Sequence, residues 1–313
     1  MTFSIKDVEN KIPAEALTFF KQNFSAGELR SILEAMRLPR ISSFRLNALK
    51  GNRSELLTLL KKDNIKFQEI AGIENAFELK SKEKDFLKSQ AYKEGRVYLQ
   101  GLSGILPVQF LKPKQGEKIL DVAAAPGSKT TLMSAMMQNT GEIHALDPDY
   151  VRLERLKFNS NILGVTNIEF FKTQAEKFKC EDSEVYDAIL ADVPCSGEGR
   201  FNLYDAKSYL SWKAKEQEKF QRLQLKIMRN ALRLLKSGGR LMYSTCTLNQ
   251  LENEQVILEL LKEDHTLTCE NIFHFSPWYP EFKKIEQGGL RALKIIPSER
   301  FEGFFMCLLK KNR

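Results

Sequence analysis

Cysteine and histidine are scarce in this chain of 313 residues, which holds five of the first and three of the second. Cys180, Cys195, Cys246, Cys269 and Cys307 form no CxxC pair, and no histidine stands at metal-ligand spacing. Neither a zinc site nor a disulfide framework is expected on that ground, nor any other metal. Any thiol that matters works reduced, in a reducing compartment. Long apolar runs are missing as well: none approaches the ~18 residues of a membrane span. The opening MTFSIKDVENKIP is mixed charged and polar, without a secretory signal. No membrane partner and a cytosolic (cytoplasmic) location are therefore expected. Internal repeats, low-complexity segments and Pro- or Ser-rich linkers are absent too.

What is present is a globular composition, 42% hydrophobic and 28% charged. The length corresponds to roughly two domains, and a monomer is the default. Lys+Arg exceed Asp+Glu by 48 to 40, a net charge of +8, which assists binding to a polyanion. Residues 35–54 contain no acid, yet carry Arg37, Arg40, Arg45, Lys50 and Arg53. Such a stretch is either a solvated basic face or a phosphate-binding surface. FRLNALK alternates apolar and polar residues and SELLTLLKKDNI has an amphipathic helical pattern. The spacing predicts a smaller N-terminal α+β domain over residues 1–92.

From Gly116 onwards the pattern becomes regular. EKILDVAA, GEIHALD, NIEFF, YDAILADV and GGRLMYST read as strands, separated by helical stretches that include DYVRLERLKFNSNILG and roughly 212–236. Five alternations predict an α/β, doubly wound, mostly parallel sheet covered by helices on both faces, in a domain over residues 93–313. Ligands bind such sheets outside the carboxyl ends of the strands.

DVAAAPGSKT closes the first of these strands. The small residues Ala123, Ala124, Ala125 and Gly127 let a ligand approach the backbone. The pattern is not GxGxxG, so a dinucleotide fingerprint is not supported. Asp147 ends the second strand, where an acid accepts the two hydroxyls of a ribose. Helix N-capping is its bland alternative, because Pro148 and a helix follow. Taken with the turn before it, the nucleoside reading prevails. A nucleoside site without a pyrophosphate loop points to S-adenosylmethionine, with Asp121 placed to hold its ammonium group.

Two further strand ends carry cysteines. In YSTCTLNQLENE, Cys246 follows the apolar run Leu241 to Tyr243, and Thr247 and Gln250 have capping-box spacing. A helix starting there favours a thiolate. ADVPCSGEGRF places Asp192, a proline and Cys195 beside small residues that leave room for a flat substrate. Methylation of cytosine at carbon 5 explains a need for two thiols. One adds to carbon 6 and makes carbon 5 nucleophilic; another group assists release. A carboxylate orients the base and stabilises developing charge.

DVAAAPGSKT, ADVPCSGEGRF and YSTCTLNQLENE, in this order, resemble the motifs of the NOP/Sun family of RNA 5-methylcytosine methyltransferases. FRLNALK, YLQGLSGILPVQFL and RFEGFFMCLLKK extend the resemblance over nearly the whole chain. It implies a class I, Rossmann-like methyltransferase that uses S-adenosylmethionine to modify ribosomal or transfer RNA. By the same resemblance Cys246 is the nucleophile, Cys195 assists release and Asp192 holds the cytosine. Ala123, Ala124, Ala125, Pro126, Gly127, Ser128, Lys129, Asp147, Gln174 and Asp192 contact the donor, with Lys129 close to the reacting centre. Residues 1–92, with their arginines, then help to hold RNA. Ala123, Ser128, Gln174, Gly101 and Gly104 depart from the usual family residues. Enzymes of this kind that act on DNA use the cysteine of a proline-cysteine dipeptide, which here is Cys195. The rivals are thus a DNA cytosine methyltransferase and a catalytically silent RNA-binding or assembly factor. Cys180, Cys269 and Cys307 read as incidental or core residues, and Trp212 and Trp278 as packing.

Overall fold

The computed structural model describes residues 3–180, 183–275 and 279–313. The chain packs as two compact units. The first comprises Met1–Ile41, Val193–Ile227 and Tyr243–Leu309; the second comprises Ser42–Asp192, Met228–Met242 and Lys310–Arg313.

The second unit opens with a small antiparallel sheet of β1 (Ser43–Leu46), β2 (Phe67–Glu69), β3 (Ala76–Leu79) and β4 (Val97–Leu99), in the order β2-β3-β1-β4. Phe44 stacks on Phe77 across it, ring centroids 5.4 Å apart. Leu56 and Leu60 from the helix Arg53–Lys62 complete that core. The helix begins where Asn52 and Glu55 close a capping box.

The larger sheet contains β5 (Lys118–Asp121), β6 (Glu142–Leu146), β7 (Ile168–Phe171), β8 (Tyr186–Asp192) and β9 (Leu235–Thr245), in the order β9-β8-β5-β6-β7. β5 runs parallel to both β6 and β8, and β6 to β7. The interiors of β5 and β8 are buried aliphatic runs, as strands covered on both faces require, and β6 departs from that pattern at the buried His144. Winding proceeds outward from β5 to β6 and β7, then returns to β8 and β9. The direction changes between β5 and β8, so their carboxyl ends, Asp121 and Asp192, border the crevice where such folds bind ligands. The doubly wound, mostly parallel α/β fold expected from the sequence is the one observed.

In the first unit, helices Ile5–Lys11, Ala14–Asn23 and Ala26–Arg37 bury Val8, Phe20, Ile32 and Met36 against Phe201, Trp212 and Leu248. Trp212 packs 5.9 Å from Phe19 between ring centroids; Trp278 lies outside the described residues. Strands β11 (Phe282–Gln287), β12 (Leu290–Ile295) and β13 (Phe304–Lys311) pair antiparallel in that order, and β10 (Leu267–Cys269) pairs with β13. Phe304 and Phe305 are buried in β13, as a core strand demands.

Residues 1–92 are α+β in content, but the packing does not divide the chain at residue 92. The three N-terminal helices bury their apolar faces on residues beyond 200. The small sheet that follows packs with the unit of β5 to β8. Among the described residues, no helix is long and apolar enough to cross a membrane.

Candidate active site

β5 ends at Asp121, which is 1% exposed. Thr130 Oγ1 donates to its Oδ2 at 2.7 Å, and the Ala123 amide lies 3.4 Å from Oδ1. Burial pushes this carboxyl up to about 7, although Thr130 and Lys129 pull the other way. A cation arriving beside it would restore its charge. The loop Ala123–Pro126 contains a cis Ala125–Pro126 peptide. Gly127 has φ +106°, and a Cβ there would meet Leu156 Cδ1 at 2.4 Å; only glycine fits. The helix Ser128–Met136 starts immediately after it. Its first turn carries Lys129, whose Nζ lies 2.6 Å from Asp192 Oδ2 at the end of β8.

Asp147, just past β6, is 1% exposed. Its Oδ1 accepts from the Asp149 amide at 2.9 Å, and its Oδ2 lies 3.3 Å from Arg152. The following helix, Tyr150–Leu163, is capped by Asp149 instead, so the N-cap reading of Asp147 fails. Arg152, which the sequence reading passed over, also donates to the Ala125 carbonyl at 2.6 Å. It thereby braces the loop against Asp147. Gln174 sits beyond β7, exposed and making no cap bond.

The two motif cysteines meet within the first unit. Cys195 Sγ and Cys246 Sγ are 3.2 Å apart, both free and half-buried. Backbone contacts hold them there. The Gly199 amide donates to the Cys246 carbonyl at 3.0 Å, and the Gly303 amide to the Gly199 carbonyl at 2.8 Å. A Cβ on Gly199 would come 2.3 Å from the Gly303 carbonyl and 2.6 Å from that of Cys246, so no side chain fits.

The expected helix start beside Cys246 does not occur. The helix runs Glu254–Glu263; the Thr247 hydroxyl donates to Glu198 and accepts from the Asn249 amide at 3.1 Å, and caps no helix. The macrodipole falls off within a turn, so the electrostatics of the thiols come from elsewhere. The hydrogen bond to Cys246, then burial, push the Cys195 thiol well above its ordinary value. The two sulfurs thus share one hydrogen bond, in which either thiol can donate. Burial works against the charge of Arg200, but Cys246 and Glu302 outweigh it and leave the guanidinium above its usual pKa. A persistent cation therefore stands near the sulfur pair.

Beneath the thiols lies a polar scaffold. The Ser196 hydroxyl bridges two buried carboxylates, Glu198 and Glu252. The Ser196 amide and Gln224 Nε2 each donate to Glu252 Oε2 at 3.0 Å. Burial first, and the charge of Glu198 next, push Glu252 from 4.5 up to about 7. Its folded value exceeds its unfolded one, so folding takes up a proton and stability falls as pH rises through that window. Glu252→Gln keeps the shape without the charge. Its stability relative to the parent is expected to rise by roughly 2 kcal/mol between pH 5 and pH 8. Urea unfolding at both values measures this, and a pH-independent difference would contradict it. Asp121 titrates alike in both proteins and cancels.

Of the expected RNA-binding residues, Arg45 is a correction. It is 1% exposed and bonded to Gln100 Oε1 at 2.8 Å and Thr131 Oγ1 at 2.9 Å. Burial pushes its guanidinium down to about 10. A charge so enclosed braces the second unit and cannot meet phosphate. Arg37 pairs with Glu34 at 2.5 Å. Arg40 donates to the Phe301 carbonyl at 3.0 Å and that of Gly199 at 3.4 Å, supporting the thiol loop. Arg53 is exposed and paired with Glu69 at 2.6 Å. The Lys50 stem lies over Gly164. Arg37 and Arg40 belong to the first unit and the others to the second, so the stretch is not one continuous element.

Residues 108–310 match the family described as 16S rRNA methyltransferase RsmB/F. Ribosomal RNA small subunit methyltransferase F of Escherichia coli (strain K12) is 33% identical over 288 residues, covering 90% of this chain and 59% of that protein. The same figures hold for its counterpart in Shigella sonnei; the chain thus spans about three-fifths of the length of these relatives. A methyltransferase homolog protein from Pyrococcus horikoshii superposes with TM-score 0.76 at 27% identity, over 96% of this chain and 99% of that one. NSun6 from Pyrococcus horikoshii, solved with SFG, shares the fold with TM-score 0.81 at 22% identity, over 97% and 100%.

Proposed function

The chain belongs to the RsmB/F family of 16S rRNA methyltransferases, and from that premise we propose that it methylates carbon 5 of a cytosine in RNA through a covalent adduct with Cys246. When bound, S-adenosylmethionine supplies an activated methyl group. The residues of the second unit fit it. Ala123 to Gly127 leave bare backbone, and Asp121 offers a buried carboxylate to an ammonium group. Asp147 offers another to ribose hydroxyls, Gln174 an amide to adenine, and Ser128 and Lys129 complete the loop.

The observation that carries the proposal is the 3.2 Å separation of two free thiols. Cys246, its own proton lost to solvent, adds to carbon 6 and moves the ring's 5,6 electron pair onto carbon 5, which takes the methyl group as that group's bond to the donor sulfur breaks. The carbon-5 proton must then leave, and the 5,6 double bond re-forms as the bond to Cys246 breaks. Once Cys246 is alkylated it no longer takes a strong hydrogen bond from Cys195. The largest influence holding that thiol protonated is gone, so Cys195 can release its own proton to solvent and, as the thiolate, take the proton from carbon 5. Asp192, tied to Lys129, orients the base's amino edge. Only Val193 and Pro194 separate Asp192 from Cys195, so covalent geometry keeps their Cα atoms within about 11 Å. The target base must be unpaired or flipped to expose its face.

RNA is favoured over DNA by the family. The names of the curated relatives favour ribosomal over transfer RNA as the substrate. Residues 1–92 are proposed to hold RNA backbone, with Lys50 and Arg53 as their outward charges. Protein incubated with donor is expected to release tritium from RNA carrying 5-tritiated cytosine, at least about tenfold faster than from matched DNA. Equal release would return the DNA reading, and none with intact RNA binding would return the silent factor.

A further inference from the structure

One cluster lies apart from the strand ends used above. Glu142 opens β6, and His144 follows two residues later on the same face. The register of β6 with β7 places Glu169 directly opposite His144. His144 Nε2 is 3.0 Å from Glu142 Oε1 and 3.2 Å from Glu169 Oε2. All three groups offer ligand atoms within 4.8 Å of one another. The His144 side chain is only 9% exposed, yet its Nε2 is buried without a hydrogen-bond partner. The carboxylate oxygens crowd this nitrogen but stand off the line that an N–H bond needs. Such spacing suits a shared cation: tetrahedral bonds of about 2.0–2.1 Å put neighbouring ligand atoms about 3.3 Å apart.

We propose that Glu142, His144 and Glu169 form a binding site for a divalent d-block cation of the Zn²⁺ class. One imidazole with two carboxylates is a donor set for such ions, and the half-exposed glutamates leave the remaining positions to water. The surroundings fix the ligands. His144 Nδ1 lies 2.7 Å from the Tyr186 hydroxyl, which in turn lies 3.5 Å from Cys180 Sγ. With Nδ1–H donating to Tyr186 and the Tyr186 hydroxyl to Cys180, Nε2 keeps its lone pair for metal. Lys118 Nζ donates to the other oxygen of Glu142 at 2.8 Å, which leaves Oε1 for the ion. The cation would pin β7 to β6, the strands whose far ends lead to Gln174 and Asp147. Chain spacing excluded metals because it sees only neighbours in sequence; here the third ligand arrives through strand register.

Chelator-treated full-length protein titrated with Co²⁺ at pH 8 tests the site. One equivalent is expected to bind, with visible d–d absorption, no sulfur-to-metal charge-transfer band and a raised Tm. Glu169→Gln and Glu142→Gln, both at half-exposed positions that tolerate an amide, should each weaken binding by about tenfold or more. Absence of binding, a sulfur charge-transfer band, or unchanged affinity in both variants would each overturn the proposal. None of these outcomes bears on methyl transfer, which is tested separately.

Discussion

Alanine in place of Cys246 is expected to lower methyl transfer to RNA by about 10⁴-fold or more, while affinity for S-adenosylmethionine stays nearly unchanged. Carbon 5 of cytosine is a poor nucleophile until a sulfur adds to carbon 6, and the other thiol at the site is that of Cys195. Cys195 is an inadequate substitute. The substitution removes the hydrogen bond that holds its thiol protonated, but burial and the nearby Glu252 and Glu198 still oppose its anion. The groups proposed to bind the donor, Asp121, Ala123 to Lys129 and Asp147, all lie in the second unit and Cys246 in the first, which is why binding should survive. Incorporation of labelled methyl and calorimetric titration with the donor measure the two halves. Undiminished turnover removes the covalent mechanism.

Cys195→Ala has the opposite signature. Attack and methylation need only Cys246, so the adduct should form and then stall, because its carbon-5 proton lacks an acceptor. A protein–RNA band that survives denaturing electrophoresis is expected to accumulate in the presence of donor. Turnover should fall by about 10²–10⁴-fold, the usual range for loss of a general base. The double variant Cys195→Ala, Cys246→Ala should give no band. Rapid turnover by Cys195→Ala without an adduct would move the proton-accepting role to another group.

The strands of the larger sheet were legible because each carries a short apolar run closed by an acid or a turn, and the parallel order followed from their alternation with helices. Asp147, the small-residue loop and both cysteine motifs were legible for the same reason, since they mark strand ends. The helix start beside Cys246 misled. Thr247 and Gln250 satisfy a local spacing rule, but Glu198, 49 residues away in the chain, takes the Thr247 hydroxyl. Burial of Arg45 could not be read from a charge count, because its partners Gln100 and Thr131 are supplied by the fold. Glu198 and Glu252 stand within the quoted motifs PCSGEGR and LENE, yet their joint role needs Ser196 between them. The boundary near residue 92 failed to appear because an amphipathic helix declares that it has an apolar face without naming what will cover it.

The most direct test of the account uses wild-type protein, donor and RNA containing 5-fluorocytosine, whose fluorine cannot leave as a proton does, followed by proteolysis and mass mapping of the RNA-linked peptide. The account predicts attachment at Cys246. Attachment at Cys195, or no attachment while the fluorinated RNA still binds, contradicts it.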